Sequence, residues 1–147
     1  MKKLIQIIFI FFFINACGFQ PLLVKSNNFS FNNLDVSGDK DVSGKIKKSL
    51  IKFKDENSQI NLRIINSLNK NIISKNEKGD PEVFLINLKV EILVKDGQDL
   101  KTKKIFRKNL TYNNKSNKFK LKQYEKKLIT NLIDNISYDI LNFLNSI

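Results

Sequence analysis

Residues 84–94 read FLINLKVEILV, with Phe84, Ile86, Leu88, Val90, Ile92 and Val94 apolar at every even position and Asn87, Lys89 and Glu91 between them. A period of two held over eleven residues is that of a β-strand with one buried face, so this segment forms the middle of a sheet and decides where the core lies. Asp96-Gly97 then signals a hairpin, and Leu100, Thr102, Phe106, Leu110 and Tyr112 continue an apolar even-numbered face in the next strand. For even positions of both strands to share one face, paired residue numbers must sum to an even value. That predicts a loop of three or five residues, because a two-residue turn would set the apolar row opposite polar side chains. Lys104 and Lys108 fall on the same even face, as on an edge strand whose long stems reach water.

Working outward, Ile60, Leu62 and Ile64 alternate with Asn61 and Arg63, predicting a strand that continues, bent, through Ile72 and Ile73 until Lys78-Gly79-Asp80-Pro81 breaks it. Upstream, Val42, Ile46, Leu50 and Phe53 recur at helical spacing behind a cap at Asp39 or Asp41, while Lys45, Lys47, Lys48 and Lys52 form a solvated face. Phe29, Phe31, Leu34 and Val36 predict a first strand with a bulge at Asn32-Asn33, ended by Gly38. Downstream, Leu121, Tyr124, Leu128, Leu132, Ile136, Ile140 and Phe143 predict a helix from Leu121 to Leu144, about 36 Å long.

The order is β-α-β-β-β-α. It fits an α+β two-layer sandwich, a four-stranded, mostly antiparallel sheet with both helices on one face. The second sheet face then stays open, with Val83, Leu85 and Leu93 on it for a partner to cover.

The N-terminus has a different character. Met1-Lys2-Lys3 and the run LIQIIFIFFFI at residues 4–14 make a secretory signal, whose eleven residues cover about 16 Å and are too short to span a hydrocarbon core of ~30 Å. Ile14-Asn15-Ala16-Cys17 resembles the lipobox of bacterial lipoproteins, in which the Cys sulfur takes a diacylglyceryl group. Asn15 departs from the usual Ala or Ser. The expected organisation is a signal peptide removed at 1–16, a lipidated tether at 17–28 and a single domain at 29–147. Two or three acyl chains anchor a protein without spanning the membrane. Removing the signal takes the side-chain charge from +12 to +10, since Lys2 and Lys3 go with it. By resemblance to lipoproteins of Gram-negative bacteria, Gly18 in place of Asp after the Cys implies sorting to the outer membrane.

Composition narrows the chemistry. Among 147 residues there is no His and one Cys, which excludes Ser-His and Cys-His couples, imidazole metal sites and an internal disulfide. Asp39 and Asp41, and Asp55 and Glu56, are paired carboxylates beside helix ends, where capping accounts for them. No glycine-rich phosphate loop is present, and no cofactor or catalytic residue is expected. Nucleic acid is an unsuitable partner for an exported chain that lacks an aromatic-rich RNP segment.

Cys17-Gly18-Phe19-Gln20-Pro21-Leu22 is similar to the mature N-terminus of the LptE family, the LPS-assembly lipoproteins, in which Cys-Gly-Phe-x-Pro-Leu recurs. Thr111-Tyr112-Asn113 before the final helix and the element order agree with that family, while Gln20 stands where a basic residue is common. The resemblance implies a non-catalytic lipoprotein, anchored on the periplasmic side of the outer membrane. It would plug an LptD-like β-barrel partner and assist it in inserting lipopolysaccharide into the outer leaflet. A different outer-membrane lipoprotein, a lipid carrier or envelope-assembly scaffold, is the competing expectation.

Residues 95–127 hold twelve Lys plus Arg against Asp96, Asp99 and Glu125, a net +9 in one quarter of the chain. Such a cluster attracts the phosphates and acidic sugars of lipopolysaccharide. Lys101, Lys103 and Arg107, all odd-numbered in the fourth strand, are the expected contacts. The competing view is a solvated basic surface, enlarged by the same compositional bias that supplies 20 Asn.

Overall fold

The computed structural model describes residues 29–147. The expected signal, the lipidated Cys17 and the tether at 17–28 lie outside the described residues. Strands β1 (Asn33–Ser37), β2 (Ile60–Lys75), β3 (Pro81–Asp96) and β4 (Asp99–Asn113) form one sheet in that order, with helices α1 (Lys40–Leu50) and α2 (Lys118–Leu144). β1 runs parallel to β2 and the other neighbours are antiparallel, so the α+β class, element order and mostly antiparallel sheet are as expected.

The period-two row of β3 decides the layering. Ile64 pairs with Ile92 and Val90 with Phe106, so even positions of β2, β3 and β4 lie on one face. Phe84, Ile86, Leu88, Val90, Ile92 and Val94 are all buried there, in one core with Val42, Ile46 and Leu50 of α1 and Leu132, Ile133, Ile136 and Ile140 of α2. Both helices thus cover the even face. β2 is a single long strand, with register irregularities only at Ile72, Ser74 and Lys75.

Three local features differ from the expectation. The β3–β4 turn has two residues, since Asp96 pairs with Asp99. Gly97 takes φ +59 there, the positive value that the first loop position of a type II′ turn requires. Even parity is recovered one step later by a bulge: Lys95 pairs with Leu100 and Val94 with Thr102, leaving Lys101 unpaired. Leu100 is therefore moved off the buried row and is 55% exposed.

At the other end, Phe31 does not begin β1. It is bridged to Lys54, with its N–H donating to Phe53 O at 3.2 Å and its carbonyl accepting from Asp55 N at 2.8 Å. The slip at Asn32-Asn33 is a change of partner: Asn32 N turns to Ile60 O at 2.7 Å, after which β1 follows β2. Finally, Phe53 ends a 3-10 turn, Ile51–Phe53, and is not part of the last turn of α1.

The β1–α1 junction is tight. Asp39 Oδ1 accepts from Asp41 N at 3.0 Å and Val42 N at 3.1 Å, capping the helix. Before it Gly38 has φ +119, and a Cβ there would stand 2.0 Å from Asn66 O. Asn66 is buried and its amide donates to Ser37 O and Ser43 Oγ, each at 2.8 Å. One side chain of β2 thus ties both ends of the junction.

Candidate functional site

Because even positions are covered by helices, the odd positions of β2, β3 and β4 form the other face, uncovered among the described residues. Cross-strand pairing arranges it in rows. One row is Asp35, Arg63, Leu93 and Lys103. The next is Ser37, Ile65, Glu91 and Ile105. Ser67, Lys89 and Arg107 follow, then Asn69, Asn87 and Asn109.

Charges in the first two rows are internally balanced. Arg63 Nε lies 3.5 Å from Asp35, and Lys103 Nζ 2.7 Å from Glu91. The hydrogen bond from Lys103, with the charges of Lys103 and Lys89 adding to it, holds the Glu91 carboxyl below its usual range against the opposing effect of burial. The third row is not balanced. Lys89 and Arg107 are direct cross-strand partners, and neither has an ion-pair partner among the described residues. An ammonium and a guanidinium fork flank amide side chains, an arrangement suited to gripping phosphate or carboxylate without covalent chemistry.

Of the three expected contacts, Lys103 and Arg107 share this face. Lys101 does not sit in their alternating row. As the bulge residue it lines a cleft of about 450 Å³ together with Phe29, Ser58, Val94, Leu144 and Ile147, at the C-terminal end of α2. Periodicity predicts only that Lys89 points away from the core, and the parity that pairs Val90 with Phe106 also sets Lys89 opposite Arg107. The even-face lysines of β4 have partners on α2: Lys108 Nζ is 2.7 Å from Asp139, and Lys104 lies 6.0 Å from the Phe143 ring centroid.

Tyr112, in the Thr-Tyr-Asn segment, belongs to a second cluster. Its hydroxyl donates to Glu125 Oε1 at 2.7 Å, and Lys70 is ion-paired to the same oxygen. Phe84 and Tyr112 stack with centroids 5.3 Å apart, and Lys70 Nζ lies 4.1 Å from the Phe84 centroid. Burial alone would raise the Glu125 carboxyl, but hydrogen bonds from Lys70 and Tyr112 and the Lys70 charge outweigh it and hold it below its ordinary value. Burial, and then the bond to Glu125, push the Tyr112 phenol up. This cluster fixes the start of α2 to the sheet. Of the paired carboxylates, Asp39 is the α1 cap and Asp55 Oδ1 accepts from Asn57 N at 2.9 Å in a turn.

No family model and no curated protein sequence matches the chain. Solved structures do. Rare lipoprotein B from Shewanella oneidensis is similar with a TM-score of 0.58 and 20% identity, over 78% of this chain and 95% of that one. A minor lipoprotein from Acinetobacter baumannii gives 0.59 and 16%, over 80% and 93%. Lipoprotein B from Nitrosomonas europaea gives 0.55 and 13%, over 77% and 81%. The chain shares the fold of these lipoproteins, which is the fold that the LptE resemblance implied.

Proposed function

We propose that the chain is a non-catalytic lipoprotein acylated at Cys17 and held on the periplasmic side of the outer membrane. There it plugs an LptD-like β-barrel and assists lipopolysaccharide assembly. The observation that carries this reading is the shared fold, which spans nearly all of rare lipoprotein B; the Cys-Gly-Phe-Gln-Pro-Leu opening supports it independently. Lipopolysaccharide phosphates meet the uncovered face at Arg107 and Lys89, with Lys103, already paired to Glu91, beside them, and Lys101 adds charge from the neighbouring cleft. Two cations set opposite each other by the strand register give orientation, and the wider +9 segment gives long-range attraction that salt weakens.

The test is a pull-down of the acylated protein in gentle detergent. A stoichiometric barrel partner is expected. Recovery of a monomer with an extractable lipid, and no barrel, would replace this reading with a lipid carrier or scaffold. Cys17→Ser is expected to release the protein from membranes, and continued pelleting would remove the anchor.

A further inference from the structure

We propose that the groove between α1 and α2 holds one acyl chain of an anionic glycerophospholipid, with its phosphate gripped by lysines on the rim. The open groove offers about 630 Å³, and the partly exposed Ile129 of α2, with the buried Ile133 behind it, supplies its apolar part. Lys40, Lys45 and Lys48 of α1 and Lys122 and Lys126 of α2 line it, against Asp41 and Glu125. Glu125 is already engaged by Lys70 and Tyr112. None of the five lysines has an ion-pair partner among the described residues. An apolar floor and a cationic rim in one concavity are complementary to an amphiphile with a negative head.

Gly44 points the same way. It lies in the interior of an eleven-residue helix, where glycine is the poorest residue after proline. Its φ is not positive, and a Cβ there would meet nothing within 4 Å. Neither backbone conformation nor packing requires glycine. Gly44 lines the groove, so a large side chain at this position would occupy it.

The space falls in the range of roughly 300–1,000 Å³ that small-molecule sites occupy. The site is separate from the uncovered sheet face and stands whether or not that face meets lipopolysaccharide.

Native mass spectrometry of the full chain in detergent, with dioleoyl phosphatidylglycerol or dioleoyl phosphatidylcholine added, tests it. One phosphatidylglycerol per chain is expected, with at least tenfold less phosphatidylcholine. Gly44→Leu, which fills the groove, and the charge reversal Lys45→Glu with Lys126→Glu should each lower the phosphatidylglycerol adduct at least tenfold. Circular dichroism checks that the variants fold, and Ile129→Arg blocks the groove from the facing helix if Gly44→Leu does not. Equal uptake of both lipids, full uptake by a folded blocked variant, or displacement of phosphatidylglycerol by an acidic amphipathic peptide would overturn the proposal.

Discussion

Lys89 and Arg107 stand opposite each other on β3 and β4, two cations on one uncovered face. Like charges directly across antiparallel strands destabilise a sheet, and an anion placed between them converts the repulsion into a clamp. Lys89→Glu is therefore expected to stabilise the free protein by ~0.5 kcal/mol, at the low end because both side chains reach solvent. It should also weaken lipopolysaccharide retention severalfold. Urea denaturation reads the first effect and co-sedimentation with lipopolysaccharide the second. A firmer fold with unchanged retention would show that the pair does not hold the ligand.

The Glu125 cluster sets an acid limit. A carboxyl whose folded value is depressed contributes stability that is complete above its ordinary range, near 4.5, and is lost as pH falls through the depressed value. Glu125→Gln should cost ~1 kcal/mol at neutral pH, since Lys70 is nearly half exposed and screened. The gap to the parent should close as the pH is taken well below 4.5. A gap that persisted there would assign the effect to packing.

The same cluster acts in the opposite direction in alkali. The Tyr112 phenol is raised, so its contribution is present below the ordinary value of 10 and is lost as pH rises through the folded value. Tyr112→Phe should abolish the last step of tyrosinate absorbance, the one that coincides with alkaline unfolding. Spectrophotometric titration alongside circular dichroism measures both.

Two glycines with positive φ offer a matched pair. Gly38→Ala must move the Asn66 backbone as well as strain its own, and should cost about 3 kcal/mol. Gly79→Ala meets open space and should cost about 1 kcal/mol. Gly44→Ala, with ordinary φ, should instead stabilise α1 by ~0.4–1 kcal/mol. Thermal melts of the three variants should rank in that order.

Much of this was legible in the residues alone. An uninterrupted period-two row at 84–94 fixes the buried face, and parity then carries that face into β2 and β4. Parity could not say how the odd residue is accommodated. A three-residue loop and a two-residue turn with a bulge satisfy the same count, and only the second leaves Lys101 out of the row of Lys103 and Arg107. The change of partner at Asn32 was visible as a slip, but its cause, the pinning of Phe31 by the 53–55 segment, is a long-range contact without a local signature. The α1 lysines read as a solvated face because periodicity describes one helix at a time. That Lys45 and Lys48 share a concavity with Lys122 and Lys126 depends on how the two helices pack.

Among the described residues β4 ends the sheet, and no described strand pairs with its outer main-chain groups, an edge onto which another strand could zip. Lys101, Lys103, Lys104, Arg107 and Lys108 along it make two copies repel before their edges can register. Acetylating the lysines among them, or working in concentrated salt, should therefore turn a well-behaved solution into one that forms fibres or precipitates.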